Sequence, residues 1–121
     1  MSHIAWLSKK LENGKVLCQA CSQSCVLHEG EYGICGVRKV EDGELRLLVY
    51  GIAAAVNVDP VEKKPMFHFL PKSKAFSVGT VGCNFSCTFC QNADISQYPK
   101  EHGHEITGRE LSPERIVTMA I

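Results

Sequence analysis

The segment from Gly82 to Asn92 reads GCNFSCTFCQN and spaces three cysteines as C-x3-C-x2-C. The apolar run Ala75–Val81 comes directly before it and contains residues that favour a strand. Three thiolates from one loop can each hold one iron of a cubane cluster, and the sequence has no later cysteine for the fourth iron. An iron without a protein thiolate can bind a substrate or cofactor, as catalytic zinc does with its open position. The spacing alone also fits a zinc knuckle completed by His68 or His102.

The other four cysteines form a second candidate metal site near the N-terminus. They follow the pattern C-x2-C-x3-C-x9-C, as Cys18, Cys21, Cys25 and Cys35. Four thiolates fit a structural zinc ion or an auxiliary [4Fe-4S] cluster, and the spacing does not separate these two options. Buried free thiols without metal are the third interpretation. A metal here would hold together a loop-rich segment that is too small to fold on a core of its own.

Short secondary-structure elements are predicted around the N-terminal cysteines. Ile4, Leu7 and Leu11 repeat at helical spacing, so the sequence predicts an opening helix that stops near Asn13-Gly14. Residues 18–36 are rich in Cys, Gly, Ser and Gln, and this composition predicts an irregular loop.

Strands are predicted on both sides of a tight turn in the middle of the chain. The runs Val37–Val40 and Leu45–Tyr50 flank Asp42-Gly43, a pair of residues typical of a hairpin turn. Residues 52–58 fit either a further strand or a buried turn.

The last part of the chain is predicted to be a polar loop followed by a helix. The loop covers residues 91–110, and Ser112 and Pro113 suit the N-cap and first position of the helix. The sequence ends inside this helix, so we expect the chain to be a fragment of a longer protein. We divide it into a Cys-rich N-terminal segment, 1–71, and the start of a second domain, 72–121.

Composition narrows the possible functions. The chain has 121 residues and a formal net charge of zero, so it lacks the positive field of a general nucleic-acid binder. No apolar stretch is long enough for a membrane span, and no secretory signal precedes the cysteines. We therefore expect a cytoplasmic protein with reduced thiols, where clustered cysteines indicate metal more often than disulfides.

The CNFSCTFC stretch, with Phe89 before its last cysteine, resembles the cluster loop of radical S-adenosylmethionine (SAM) enzymes. The wider context, KKPMFHFLP at 63–71 and GTVGCNF at 79–85, resembles the AmmeMemoRadiSam system radical SAM enzyme, a family similar to pyruvate formate-lyase activating enzyme. The stretch EYGICGVR at 31–38 fits the same family, so the resemblance covers nearly the whole chain.

The resemblance implies a specific chemistry for the three-cysteine loop. Cys83, Cys87 and Cys90 would hold a [4Fe-4S] cluster, with the amino and carboxylate groups of SAM on the open iron. Phe89 would lie near the adenine, and Asn92 would form a hydrogen bond near the cluster. One electron would split SAM into methionine and a 5′-deoxyadenosyl radical, which abstracts hydrogen from an unknown substrate.

The resemblance also implies a fold and partners. The fold class is α/β: a small Cys-rich α+β segment with a metal knuckle and a hairpin, then the first βα unit of a truncated partial (β/α) barrel. Electrons would come from flavodoxin or ferredoxin, and the resemblance also suggests Memo-like and AMMECR-like partner proteins. From the neutral charge and the short apolar runs we expect no nucleic-acid or membrane partner. The isolated fragment is expected to be inactive because the later barrel strands are absent.

The alternative functions are a zinc-binding protein-interaction module and a small two-cluster electron-transfer protein.

Overall fold

The computed structural model describes residues 3–121, in which nine short strands precede the first α-helix. The strands are β1 (His3–Ile4), β2 (Ser8–Lys10), β3 (Val16–Cys18), β4 (Val26–Leu27), β5 (Arg38–Glu41), β6 (Glu44–Leu47), β7 (Ile52–Ala53), β8 (Ala55–Pro60), β9 (Lys74–Gly79) and β10 (Arg109–Glu110). The helices are α1 (Ala93–Ser96), α2 (Tyr98–Glu101) and α3 (Pro113–Ala120), and 3-10 turns cover Glu12–Gly14 and Val61–Lys63.

The strands form four small antiparallel sheets. Their orders are β1-β6-β5, β2-β3-β4, β7-β10 and β8-β9. The fold therefore mixes strands and helices, which agrees in coarse terms with the mixed class expected from the sequence. Across residues 3–121, no helix combines the length and the apolar character that a bilayer crossing requires.

The predicted hairpin is confirmed as β5 and β6. Asp42 and Gly43 have φ angles of 54° and 73°, the left-handed conformations that a two-residue hairpin turn requires. Val40 and Leu45 pair across the hairpin and are 0% and 1% exposed. The second strand ends at Leu47, earlier than the sequence predicts, because the chain turns there toward β7.

A side-chain carboxylate stabilises this hairpin turn. The Glu29 carboxylate accepts hydrogen bonds from the backbone N–H groups of Asp42, at 2.7 Å, and Gly43, at 3.0 Å. The bonds from Gly43 and then Asp42 lower the pKa of Glu29 because they favour its ionised form.

Glu29→Gln is expected to remove a pH-dependent contribution to stability. A lowered folded-state pKa stabilises the fold above the ordinary glutamate pKa, and this contribution is lost as the pH falls through the folded-state value. Thermal unfolding between neutral and acidic pH should show the advantage of the wild type over Glu29→Gln shrinking on acidification. The exposed Glu12 provides the control Glu12→Gln. An equal gap between wild type and Glu29→Gln at every pH would contradict the prediction.

Two small apolar clusters form the core. The first contains Ala5, Val16, Cys18, Leu27, Val40 and Leu45, from the two N-terminal sheets. The second contains Val37, Val49 and Val81, with Ile95, Tyr98 and Ile106 packed against it. The second cluster therefore joins the N-terminal segment to the residues on both sides of the three-cysteine loop.

The predicted opening helix is wrong. Residues 3–10 form β1 and β2, which pair with β6 and β3. Leu7 between them has a φ of 58° and is 62% exposed, so it belongs to a bend and not to an apolar helix face. Three apolar residues at helical spacing are a weak signal, and the neighbouring strand edges supply the backbone hydrogen-bond partners that a helix would otherwise provide.

The other element predictions have mixed outcomes. The strand at 75–81 is confirmed as β9, and residues 52–58 form strands, one of the two predicted options. The C-terminal helix is confirmed as α3, with the Ser112 hydroxyl accepting a hydrogen bond from the Arg115 N–H at 3.3 Å. The loop predicted for 91–110 contains α1 and α2, which the sequence analysis missed, and β4 interrupts the loop predicted for 18–36.

Candidate metal centres

The first four cysteines, called here the cysteine knuckle (residues 18–35), lie around one space. The backbone N–H of Cys18 at the end of β3 donates to the Cys25 carbonyl at 2.8 Å, which closes the loop between these cysteines. A Cβ atom placed on Gly33 would lie 3.7 Å from the Cys35 sulfur and 3.9 Å from the Cys25 sulfur. Because glycine has no side chain, a small space remains at Gly33, and these two sulfur atoms lie on either side of it.

A cavity of about 190 Å³ extends from this space to Cys83, the first cysteine of the second group. Its lining includes all four cysteines of the knuckle and one from the later loop: Cys18, Cys21, Cys25, Cys35 and Cys83. All are free thiols. Five potential thiolate ligands thus face a single cavity.

The knuckle supplies four sulfur donors, the ligand type that a structural zinc ion or an iron–sulfur cluster takes. The Arg38 guanidinium Nη1 lies 3.9 Å from the Cys18 sulfur. Within residues 3–121, no three side chains of cysteine, histidine, aspartate or glutamate approach closely enough to form a ligand set. The cysteines share the cavity, and their sulfur atoms would have to move toward one another to hold one ion.

The second group lies in the cluster loop, defined as Cys83–Cys90, which follows β9. Gly82, just before it, has a φ of 99°, and its N–H donates to the Ile95 carbonyl at 3.1 Å. A Cβ atom on Gly82 would lie 2.5 Å from a methyl carbon of Val37 and 3.1 Å from the Cys35 carbonyl oxygen. Only glycine suits this backbone conformation and this close approach.

The three cysteines of the cluster loop have different surroundings. Cys83 is half-buried, and its sulfur accepts a hydrogen bond from the Phe85 N–H at 3.4 Å. The Cys90 sulfur lies 3.4 Å from the Ser96 hydroxyl, whereas Cys87 is exposed. The loop therefore presents three unpaired thiols of which none is buried.

Two side chains hold the tip of the cluster loop, and sequence analysis missed both. The Phe85 carbonyl accepts hydrogen bonds from the Lys100 ammonium, at 2.9 Å, and the Gln97 amide, at 3.0 Å. Lys100 also donates to the Ser86 hydroxyl at 3.2 Å. The spacing of Gln97 and Lys100 places them on one side of a helical turn, but residues 91–110 were predicted to be a loop.

The other predicted site residues have separate positions: Phe89 lies in the cluster loop, Asn92 follows it, and the two histidines lie elsewhere on the surface. Phe89 is 85% exposed, and Asn92 is exposed and lines a cavity of about 350 Å³ at the end of β9. His68 is exposed in the loop before β9, and His102 stacks on Tyr98 with ring centroids 4.0 Å apart. Among residues 3–121, neither histidine joins a three-residue ligand set.

Gly82→Ala is expected to destabilise the fold by about 1–3 kcal/mol through overpacking against Val37. Gly103→Ala is the matched control because Gly103 also has a positive φ, 63°, but a Cβ there would meet nothing within 4 Å. Urea unfolding gives the free energy of unfolding of each variant. Both substitutions place alanine at a positive φ, so the difference between the two losses measures the cost of overpacking at Gly82. Equal destabilisation by the two substitutions would contradict the prediction.

Comparison with known proteins gives one informative match. The chain is similar to the uncharacterized protein MJ0808 of Methanocaldococcus jannaschii, with 44% identity over 117 residues. The alignment covers 97% of this chain and 34% of that protein, so the chain spans about a third of the length of the relative. No family model matches the sequence, and no solved structure matches it.

Proposed function

We propose that this chain carries the [4Fe-4S] cluster loop of a radical SAM enzyme, with Cys83, Cys87 and Cys90 as the cluster ligands. One observation carries the proposal: three free thiols, none of them buried, lie on one short loop that follows β9. This loop supplies three thiolates, one fewer than the four irons of a cubane cluster. This donor set fits a cluster that binds its cofactor directly.

Residues of the chain would hold and tune this cluster. A bound, reduced cluster would supply the single electron that SAM accepts, and this electron would break the S–C5′ bond of SAM. The Phe85 N–H that donates to the Cys83 sulfur would shift the reduction potential, because hydrogen bonds to cluster sulfurs tune it. Lys100 and Gln97 fix the Phe85 carbonyl and so hold the tip of the cluster loop in place.

The cavity beside the cluster loop suits the polar end of the cofactor. Asn92 and Ser96 line it next to Gly82, and its other polar residues are Asn57, Lys64, Ser77 and Thr80. An ammonium and several amide and hydroxyl groups match the amino and carboxylate groups of an amino acid. The exposed ring of Phe89 is free to contact the adenine.

The proposal includes a larger fold. In it, β9 is the first strand and α3 the first helix of a partial (β/α) barrel, whose active site lies at the C-terminal ends of the strands. The position of the cluster loop just after β9 agrees with that arrangement. The similar M. jannaschii protein is about three times as long as the aligned region, which leaves room for the remaining strands. Flavodoxin or ferredoxin would supply electrons in the reducing cytoplasm.

We also propose that the cysteine knuckle holds a metal, either zinc or a second [4Fe-4S] cluster. The observation that favours this second role is that all four of its cysteines line the same cavity. Four thiolates complete the shell of a structural zinc ion, so this metal would stabilise the segment without binding a substrate.

Anaerobic reconstitution with iron and sulfide tests the proposed function. We expect iron and sulfide equivalent to one cluster on the cluster loop, and a change in its electron paramagnetic resonance spectrum when SAM is added. Zinc alone at both sites would contradict the proposal and support a zinc-binding interaction module. Two clusters that do not respond to SAM would contradict it and support an electron-transfer protein. The isolated chain is expected to form no 5′-deoxyadenosine in steady turnover.

A further inference from the structure

Residues of the cysteine knuckle and of the cluster loop line the same cavity. In the sequence, 47 residues without a cysteine separate Cys35 from Cys83. Cys83 and Asn84 line the same 190 Å³ cavity as the four knuckle cysteines. A metal bound in the knuckle would therefore lie beside the first ligand of the proposed cluster.

Direct contacts join the two segments on the N-terminal side of the cluster loop. Gly82 packs against Val37 and against the backbone of Cys35, at the position where a side chain on Gly82 would collide with both. The Gln23 side-chain amide donates a hydrogen bond to the Asn84 carbonyl at 3.3 Å. Backbone atoms on both sides of Cys83 are thus in contact with the knuckle.

Further contacts join the knuckle region to residues that follow the cluster loop. The ring of Tyr32 stacks on His104, with centroids 3.6 Å apart and planes 6° from parallel. A Cβ atom on Gly36 would lie 3.2 Å from the Cβ of Pro99, the buried proline of α2. The helix α2 and the turn after it therefore also pack against this part of the chain.

We propose that metal bound in the cysteine knuckle positions the cluster loop, with Gln23 as the positioning residue. This inference rests on the proposed function of the cluster loop. Gln23 lies between Cys21 and Cys25, so metal ligation on both sides would fix its backbone. Its side chain would then hold the Asn84 carbonyl and keep Cys83 turned toward the cluster. The role is the same whether the knuckle binds zinc or a second cluster.

Site-resolved alkylation of the chain tests this inference without relying on activity. The chain is loaded with a single equivalent of zinc and treated with iodoacetamide, and the modification of each cysteine is followed by mass spectrometry. We expect zinc to protect the knuckle cysteines and Cys83, while Cys87 stays reactive. In Gln23→Ala, we expect Cys83 alone to react about 2- to 10-fold faster, the effect of losing one hydrogen bond. Iron uptake by the cluster loop should weaken by a similar factor.

Two further variants separate positioning from general unfolding. Gln19→Ala, at an exposed glutamine of the same segment, should behave as the wild type. Cys21→Ser removes a knuckle ligand and should raise the reactivity of Cys83 to its metal-free level.

The results distinguish this inference from the proposed function. Equal reactivity of Cys83 with and without zinc, or in Gln23→Ala and the wild type, would overturn the positioning role. Knuckle cysteines that stay reactive in the presence of both zinc and iron would overturn it as well. Protection of Cys83 by zinc in a chain that assembles no cluster would support the positioning role and contradict the proposed function.

Discussion

Cys87→Ser is expected to abolish assembly of the [4Fe-4S] cluster on the cluster loop while metal in the cysteine knuckle is retained. Cys87 is the exposed cysteine of the three, so its replacement by serine disturbs no packing and tests ligation alone. With two thiolates left, the loop can hold at most two irons of a cubane. We expect nearly all cluster iron and sulfide to be lost after anaerobic reconstitution and desalting.

Thr88→Ala is the matched control for this loss, because Thr88 is the exposed neighbour of Cys87 in the same loop. It should assemble the cluster to the same level as the wild type. Metal analysis of both variants, with zinc measured beside iron, shows which site has changed. A Cys87→Ser chain that keeps its full iron content and its response to SAM would contradict the proposed ligand set.

Leu45→Ala is expected to destabilise the fold by about 2–5 kcal/mol, the cost of truncating a buried leucine. Leu45 is 1% exposed on β6 and packs in the cluster that contains Val40 and Cys18. Small domains have total stabilities of about 5–15 kcal/mol, so this loss is a large share of the whole. Because Cys18 belongs to the same cluster, the variant should also bind zinc more weakly in the knuckle.

Leu7→Ala provides the control for residue type, since Leu7 is 62% exposed and lies outside the core clusters. Urea unfolding of the zinc-loaded and zinc-free chain measures both effects for each variant. The prediction fails if Leu45→Ala unfolds at the same urea concentration as Leu7→Ala.

Features that depend on a few neighbouring residues could be predicted from the sequence. Asp42-Gly43 predicts the hairpin because these residues adopt the left-handed conformations that the turn requires. Ser112 and Pro113 predict the start of α3 because an N-cap hydroxyl and a proline act within one turn of a helix. The same holds for β9, whose apolar and β-branched residues favour an extended backbone.

Features that depend on distant partners were not predicted. Residues 3–10 carry a weak helical spacing, but β6 and β3 pair with them and make them strands. The helices α1 and α2 are four residues each, too short to be stable alone, and they pack beside the second core cluster through Ile95 and Tyr98. Contacts with residues far along the chain decided both cases.

The sequence by itself determined the two sets of possible ligands, because the number and spacing of thiols limit which metals each segment can bind. It also predicts the strand before the cluster loop, and it places a glycine next to Cys35 and next to Cys83. Only the tertiary structure decided that Cys83 lies beside the first cysteine group. Their approach requires the positive φ of Gly82 and its packing on Val37, and spacing along the chain carries no information about a contact between residues so far apart.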